Sequence, residues 1–175
     1  MKELLLSSGD FADAVREAIT QGETILIAGT GTSMEPLIRA ERDKVLLAPM
    51  PDRPLLRGDI VLYRRQNGQT VLHRIFRVRK DSFDMLGDGQ LWVEQRVKKE
   101  QILAFAREIH RPDGVLSCDT PQERRRACRE MKRKIRKLHP NPLLRFGKRS
   151  LRYIRRKIKG NKNEKSSAKD QTQME

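Results

Sequence analysis

The stretch Gly31-Thr32-Ser33-Met34-Glu35-Pro36 is the strongest indication of the fold. It is followed in order by Arg57-Gly58-Asp59-Ile60-Val61-Leu62-Tyr63 and Val71-Leu72-His73-Arg74-Ile75. The first stretch is a turn of small residues that would leave the Ser33 hydroxyl exposed, and the third places His73 in a strand-like run. A serine hydroxyl attacks a carbonyl at neutral pH only when a base activates it. We therefore predict that folding brings Ser33 and His73 together as nucleophile and base.

These three stretches resemble sequence boxes of the signal peptidase I family of serine peptidases. The similarity is greatest to the branch found in archaea and the endoplasmic reticulum. In that branch Ser-Met-Glu-Pro carries the nucleophile, a Gly-Asp-Ile-Val strand follows, and His-Arg replaces the Lys-Arg of typical bacterial enzymes. A fourth box that begins with Gly-Asp is matched by Gly87-Asp88-Gly89. The resemblance covers roughly residues 23–109, and it implies a serine endopeptidase that needs no cofactor.

A third group is expected to orient the imidazole of His73 through its second nitrogen. The resemblance offers two candidates, Asp88 in the Gly-Asp-Gly box and, as the alternative, Glu94 a few residues beyond it. Asp88 can equally be an ordinary turn residue that hydrogen-bonds its own backbone. Lys44 is the only lysine between Ser33 and His73, and its place in a predicted strand argues against a Ser-Lys pair.

The expected oxyanion and substrate-binding residues are Ser33, through its backbone N–H, with Thr32 and Met34. Many relatives carry a hydroxyl two positions before the nucleophile, where this chain has Gly31. Thr30 or Thr32 can compensate for that missing donor. Because one such donor contributes about 3 kcal/mol to transition-state stabilisation, a slow or narrowly specific enzyme is expected.

The predicted fold is mostly β: a coiled antiparallel sheet or small barrel of the signal peptidase-like kind, with a short N-terminal helix and a basic helical C-terminal extension. Ser8 or Asp10 can cap a helix that runs to about Gln21, with Gly22 as its stop. Asn67-Gly68 between two β-rich runs indicates a hairpin. The predicted strands are 24–28, 44–48, 59–64, 70–79, 82–86 and 101–109.

The net charge of +15 lies on one C-terminal segment. Residues 1–119 carry 18 Lys/Arg and 18 Asp/Glu, whereas residues 120–159 carry 17 Lys/Arg against two acidic residues. We therefore divide the chain into an N-terminal helix (1–22), a peptidase-like β domain (23–112), a basic helical extension (113–159) and a disordered tail (160–175). Within the extension, one helix is predicted over 121–138 and a second over 143–159.

The basic extension has three interpretations. Its cationic face and its leucines and isoleucines suit an anionic membrane surface. Its charge also suits nucleic acid, although it has few aromatic residues and no recognised motif, and a solvated tail without a partner is the third possibility. No apolar run is long enough to span a bilayer, so we expect a cytoplasmic protein, peripheral on the membrane at most.

The two cysteines, Cys118 and Cys128, are expected to be free thiols, and no Cys/His cluster indicates a metal site. The alternative to a peptidase is a non-catalytic module of the same fold. It could be a regulatory module similar to the self-cleaving repressors, in which the basic arm does the binding. The weak points of the catalytic prediction, Gly31 and the uncertain third residue, leave this alternative open.

Overall fold

The computed structural model describes residues 8–138, which contain eight antiparallel strands and two α-helices. The helices are α1 (Ser8–Thr20) and α2 (Pro121–Leu138), and a short 3-10 turn covers Lys99–Gln101. The strands are β1 (Ile25–Ala28), β2 (Lys44–Ala48), β3 (Ile60–Arg64), β4 (Thr70–Val78), β5 (Ser82–Leu86), β6 (Glu94–Lys98), β7 (Ile102–Arg111) and β8 (Gly114–Ser117). The predicted mostly-β class is therefore confirmed.

Helix α1 forms where the apolar spacing predicts it. Ala12 and Val15 are fully buried, and Phe11 and Ile19 pack against the same apolar cluster. The helix ends before Gly22, whose φ of +81° is a left-handed conformation that a glycine adopts without steric cost. One stripe of the helix thus covers the sheet, and the rest faces solvent.

The sheet has the strand order β1-β2-β7-β3-β4-β5-β6, and β8 pairs with β7. Within residues 8–138, β1 and β6 each pair on one side only, so the sheet is not closed and the small barrel considered above is not formed. Register shifts between β2 and β7, β3 and β7, β4 and β5, and β5 and β6 interrupt regular pairing. Such bulges bend and twist strands locally, and the sheet that contains them is open.

Strands β3 and β4 form the hairpin that Asn67-Gly68 predicts, and Gly68 has a φ of +85°. Its register pairs Val61 with His73 and Tyr63 with Val71. Since residues two apart on a strand share a face, Tyr63 and His73 are diagonal neighbours on one face.

Two apolar clusters form the core. The first contains buried residues of α1, the Ser33 turn, β2, β3 and β7, among them Val15, Met34 and Leu62. The second contains buried residues of β3 to β7, among them Tyr63 and Met85. Strand β3 contributes alternate side chains to both clusters, so the middle of the sheet is covered on both faces.

The C-terminal boundary differs from the prediction. Residues 8–134 belong to one compact unit, which includes β8 and most of α2, whereas we expected a separate extension from residue 113. The reason is that α2 buries Ala127 and Met131, and its Arg124 forms ion pairs with Asp59 and Asp119. The predicted second basic helix over 143–159 and the tail over 160–175 lie outside the described residues.

Strands β6 and β8 were not predicted. In β6 only Val97 is buried among polar neighbours, and in β8 Val115 is 60% exposed, so neither strand has an apolar alternation that sequence reasoning can detect. In the part of the chain that the structure covers, neither helix combines the length and apolar character needed to cross a bilayer.

Candidate active site

Ser33 lies in the turn between β1 and β2. The Glu35 N–H donates to the Thr32 carbonyl (3.1 Å), and the Ile38 N–H donates to the Met34 carbonyl (3.0 Å). The Met34 side chain is buried in the first apolar cluster, so it anchors the turn from below. Gly31, two residues before Ser33, has a φ of +69°, a conformation that favours glycine. The serine is thus presented by a short, internally hydrogen-bonded loop.

The Gly87-Asp88-Gly89 segment packs directly on this turn. The Gly89 N–H donates to the Ser33 carbonyl oxygen at 2.8 Å. A Cβ atom on Gly87 would overlap the Ser33 carbonyl oxygen, and one on Gly89 would overlap that of Thr32. Glycine is therefore required at both positions for the two backbones to approach so closely. We call residues 87–89 the supporting turn.

His73 lies in the middle of β4 and is fully buried. Its Nδ1 atom is 3.0 Å from the Tyr63 hydroxyl, and the two rings are 5.9 Å apart between centroids. Its Nε2 atom is buried and has no hydrogen-bond partner among residues 8–138. A buried polar atom without a partner is rare in folded proteins and requires an explanation.

A series of hydrogen-bonded side chains leads from Tyr63 away from the imidazole. The Tyr63 hydroxyl donates to Glu94 Oε2 at 2.7 Å, and Arg65 donates to both carboxylate oxygens of Glu94 at 2.7–3.1 Å. Burial raises the pKa of Glu94, but the hydrogen bonds from Arg65 and Tyr63 outweigh it and hold this pKa below its ordinary value. Burial and the bond to Glu94 raise the pKa of Tyr63, so the phenol stays protonated.

This series of hydrogen bonds determines which nitrogen of His73 carries the proton. An ionised Glu94 can only accept a hydrogen bond, and Tyr63 has a single hydroxyl proton, which it donates to that carboxylate. The Tyr63 oxygen must therefore accept from Nδ1–H of His73. We assign the proton to Nδ1, which leaves the lone pair on Nε2. A general base needs that tautomer.

The imidazole is neutral at pH 7. Burial lowers the pKa of His73 to about 4, the positive charge of Arg65 acts in the same direction, and Glu94 opposes both. The ordinary value is near 6.5.

Ser33 and His73 line the same cleft, which has a volume of about 740 Å³. No hydrogen bond joins the two side chains, because Nε2 is unpartnered. In unliganded structures catalytic hydrogen bonds are often long and shorten only when substrate binds. The cleft is also lined by Gly31, Thr32 and Met34, so the residues expected to bind substrate lie around Ser33.

Asp88 does not contact His73. Its carboxylate accepts hydrogen bonds from Arg74 at 2.9–3.2 Å, and Arg74 also donates to the Gly58 carbonyl at 2.8 Å. The expectation that Asp88 orients the imidazole therefore does not match this geometry. Strand β5 ends at Leu86, opposite Arg74, so the chain carries Asp88 to the Arg74 side chain instead. Glu94, the alternative, reaches His73 only through the Tyr63 hydroxyl.

The Ser33 N–H donates to no acceptor among the residues described, so an oxyanion would not have to displace an existing hydrogen bond. Thr32, which lines the cleft, is exposed, and Thr30 is exposed on the cleft wall. Gly31 supplies no hydroxyl there. The site therefore has one backbone donor at the nucleophile and a threonine hydroxyl beside it.

Sequence reasoning missed Tyr63 and Arg65. The Asn67-Gly68 hairpin contained a usable signal: a two-strand register centred on it places Tyr63 diagonally beside His73 on one face. Arg65 directly follows β3 and has no distinctive spacing. Its role depends on Glu94, which is brought near by β6, a strand that the sequence did not reveal.

The described lining of the cleft that contains Ser33 includes no lysine, and Lys44 is exposed at the start of β2. Among residues 8–138 no group of His, Cys, Asp or Glu is arranged to hold a metal ion, and Cys118 and Cys128 are free thiols. Comparisons of the chain with protein-family models, with curated proteins and with solved structures gave no match.

Proposed function

We propose that this protein is a serine endopeptidase similar to signal peptidase I, with Ser33 as nucleophile and His73 as general base. The observation that carries the proposal is the buried Nε2 of His73, which has no hydrogen-bond partner in the described part of the chain and belongs to a residue that shares a cleft with Ser33. A buried acceptor without a hydrogen-bond donor destabilises the folded protein, and a ligand or substrate group that donates to it would remove that cost. A proton from Ser33 would satisfy it.

The reaction would proceed through an acyl-enzyme. His73 Nε2 takes the proton of the Ser33 hydroxyl as the oxygen attacks a peptide carbonyl, and the Ser33 N–H stabilises the oxyanion. The imidazolium then donates its proton to the leaving amine. Water hydrolyses the ester with His73 again acting as base. Throughout, the Tyr63 oxygen holds the proton on Nδ1.

The same geometry predicts a slow enzyme. A general base works best when its pKa lies near the operating pH, and the pKa of His73 is about 4. The direct partner of Nδ1 is the neutral hydroxyl of Tyr63 rather than a carboxylate, so it stabilises the imidazolium less. The missing hydroxyl at Gly31 acts in the same direction.

The substrate would be an extended peptide, and leader-type peptides are our first candidates by resemblance. Within residues 8–138, β1 pairs with β2 on one side and with no strand on the other, so a bound peptide could add a strand at this edge. Ile27 and Ala28 of this strand line the cleft that contains Ser33. Peptides commonly bind by adding a strand to such an edge.

An active-site probe tests the proposal. A fluorophosphonate should label the wild-type protein and fail to label Ser33→Ala, whereas Ser117→Ala, a change at an exposed serine of β8, should be labelled like wild type. The His73→Gln variant should be labelled far more slowly. Labelling that persists in Ser33→Ala would show that Ser33 is not the nucleophile.

The second candidate, a non-catalytic binding module of this fold, is favoured by one observation: Ser33 and His73 are not hydrogen bonded. In that case the cleft would bind an extended peptide without cleaving it. Peptide binding by the wild-type protein, with no probe labelling and no product by mass spectrometry, would support this function instead.

We further propose that the basic segment of residues 120–159 associates with an anionic membrane surface. Its charge is the argument, since Lys and Arg near a membrane each contribute about 1 kcal/mol to binding of anionic lipid. Nucleic acid is the less favoured partner. A membrane location would bring the cleft close to peptides that leave or lie on the bilayer.

A further inference from the structure

Lys134 is a half-buried cation near the end of α2 that no part of the proposed reaction uses. Its ammonium group donates to the Asp88 carbonyl at 2.6 Å and lies 3.3 Å from the Gly87 carbonyl. Both carbonyls belong to the supporting turn. The sequence placed Lys134 in a basic appendage, but its contacts reach the segment that holds the nucleophile.

One peptide group connects Lys134 with Ser33. The carbonyl of Asp88 and the N–H of Gly89 belong to the same peptide unit, which is planar, so its two polar groups point in opposite directions. Lys134 binds the carbonyl end, and the N–H end donates to the Ser33 carbonyl at 2.8 Å. Rotation of this peptide unit would break both hydrogen bonds together.

The helix that carries Lys134 is itself held firmly. Ala127, Met131 and Lys134 recur at helical spacing on one face, and the first two are buried at 5% and 3% exposure. Earlier in the helix, Arg124 pairs with Asp119 at 2.9 Å, and the Cys128 thiol lies 3.4 Å from the Arg57 carbonyl. Because this part of α2 is packed against the rest of the fold, the backbone of Lys134 is held in place, and its ammonium group stays near the supporting turn.

Two opposing effects act on the charge of the Lys134 ammonium group. Burial lowers the pKa of Lys134, while the nearby Asp88 carboxylate opposes that shift. A charged donor on a carbonyl also polarises the peptide group and strengthens the hydrogen bond made by its N–H.

We infer that Lys134 is a positioning residue for the nucleophile: it locks the 88–89 peptide unit, and that unit fixes the Ser33 carbonyl and hence the Ser33 turn. This inference rests on the proposed role of Ser33. It makes the beginning of the basic segment part of the catalytic unit. A small misplacement of a nucleophile has a large effect on rate, which is why so remote a contact matters.

The test compares Lys134→Met, which keeps the length of the stem but removes the donor, with Lys134→Arg and with Lys132→Met, a change at an exposed lysine of the same helix. Hydrogen exchange of the Gly89 amide is measured together with fluorophosphonate labelling, in which the binding constant and the rate of the chemical step are determined separately. Exchange at Leu62 and Phe105 monitors the stability of the whole core.

We expect Lys134→Met to accelerate Gly89 exchange and to lower the chemical rate about tenfold, with probe binding and core exchange unchanged. Lys134→Arg should have a Gly89 exchange rate and a chemical rate close to those of the wild type, and Lys132→Met should behave as wild type. Unchanged Gly89 exchange in Lys134→Met would overturn the lock, and faster exchange with an unchanged chemical rate would overturn the positioning role. If the wild type is not labelled at all, the peptidase proposal fails, and with it the positioning role, whereas Gly89 exchange still decides whether the lock exists.

Discussion

His73 is a buried imidazole whose two nitrogens have different surroundings. Nδ1 is hydrogen bonded to a phenol that donates its own proton to Glu94, and Nε2 has no hydrogen-bond partner in the described part of the chain. This asymmetry is what a general base needs, because one nitrogen holds the proton and the other keeps its lone pair free. The same burial that creates the asymmetry also weakens the base, since it disfavours the charged imidazolium.

The first prediction concerns the pH dependence of Ser33 labelling. His73 acts as base only when neutral, so the rate should fall as pH falls through the pKa of His73, which burial lowers to about 4. We expect the rate to be nearly constant from pH 7 to about pH 5. Fluorophosphonate labelling over this range measures the profile, with circular dichroism to confirm folding at each pH.

A midpoint near pH 6.5 would contradict this prediction. It would mean that the imidazole is less desolvated during labelling than it is in the structure. The Ser33→Ala variant provides the background rate at every pH.

The second prediction concerns Tyr63→Phe, which removes only the hydroxyl between His73 and Glu94. The change leaves Nδ1–H and the carboxylate without their shared partner, so it should cost about 1–3 kcal/mol in the free energy of unfolding. It should also slow labelling about tenfold, because the tautomer is no longer selected. Urea denaturation and the labelling rate measure the two effects.

Glu94→Gln is the matched comparison, since its amide oxygen can still accept from Tyr63. It should affect the rate less than Tyr63→Phe. Nitrogen NMR of His73 gives a direct readout, with Nδ1 protonated in the wild type. A wild-type spectrum with the proton on Nε2 would contradict the hydrogen-bond chain.

At the scale of elements, the site is made where three segments meet. The turn after β1 carries Ser33, the centre of β4 carries His73, and the supporting turn after β5 holds the first in place. Arg74 of β4 connects the last two segments, because its side chain donates to the Asp88 carboxylate of the supporting turn. Helix α2 contacts the supporting turn through Lys134, whose ammonium group donates to the Asp88 carbonyl.

The third prediction concerns that face of α2. Met131 is 3% exposed, so Met131→Ala should lower the free energy of unfolding by about 2 kcal/mol or more, whereas Lys132→Ala, at the exposed neighbour, should change it by less than about 0.5 kcal/mol. Urea denaturation of both variants measures the difference. Equal stability of the two variants would show that the packing of Met131 does not contribute to the stability of the fold.

At the scale of the whole molecule, the distribution of charge is the dominant feature. Residues 1–119 are neutral, but α2 is strongly basic and part of its charge is used within the fold. Arg124 is paired with Asp119, and Arg126 lies 3.3 Å from Glu130. Residues 139–159 carry eight Lys/Arg and no acidic residue, so this stretch is the main reservoir of charge without acidic partners in its own sequence.

The fourth prediction concerns membrane association. The full chain should float with vesicles that contain anionic lipid, should not float with neutral vesicles, and should be released by salt because the attraction is electrostatic. A chain ending after residue 138 keeps α2 but lacks the basic stretch, and it should float much less. Equal flotation of the two chains would show that residues 139–159 are not needed for membrane binding, and tighter binding to RNA than to vesicles would favour nucleic acid.

Much of the fold could be predicted because its signals are local. The stripe of α1, the alternation in β3 and β4, the Asn67-Gly68 turn and the whole of α2 depend on residues close in the chain. Strands β6 and β8 could not be predicted, since most of their stability comes from pairing with β5 and β7 rather than from their own composition. The open sheet was equally inaccessible, because closure depends on whether two distant strands, β1 and β6, meet.

The sequence by itself determined the candidate pair, Ser33 and His73, and the mostly-β class, because residue type and spacing carry that information. Only the tertiary structure decided that Tyr63 rather than Asp88 contacts the imidazole, that Arg74 engages Asp88, and that Lys134 reaches the supporting turn. The physical reason is that hydrogen bonds between residues far apart in the chain depend on register and on helix docking. No single stretch of sequence specifies either of them.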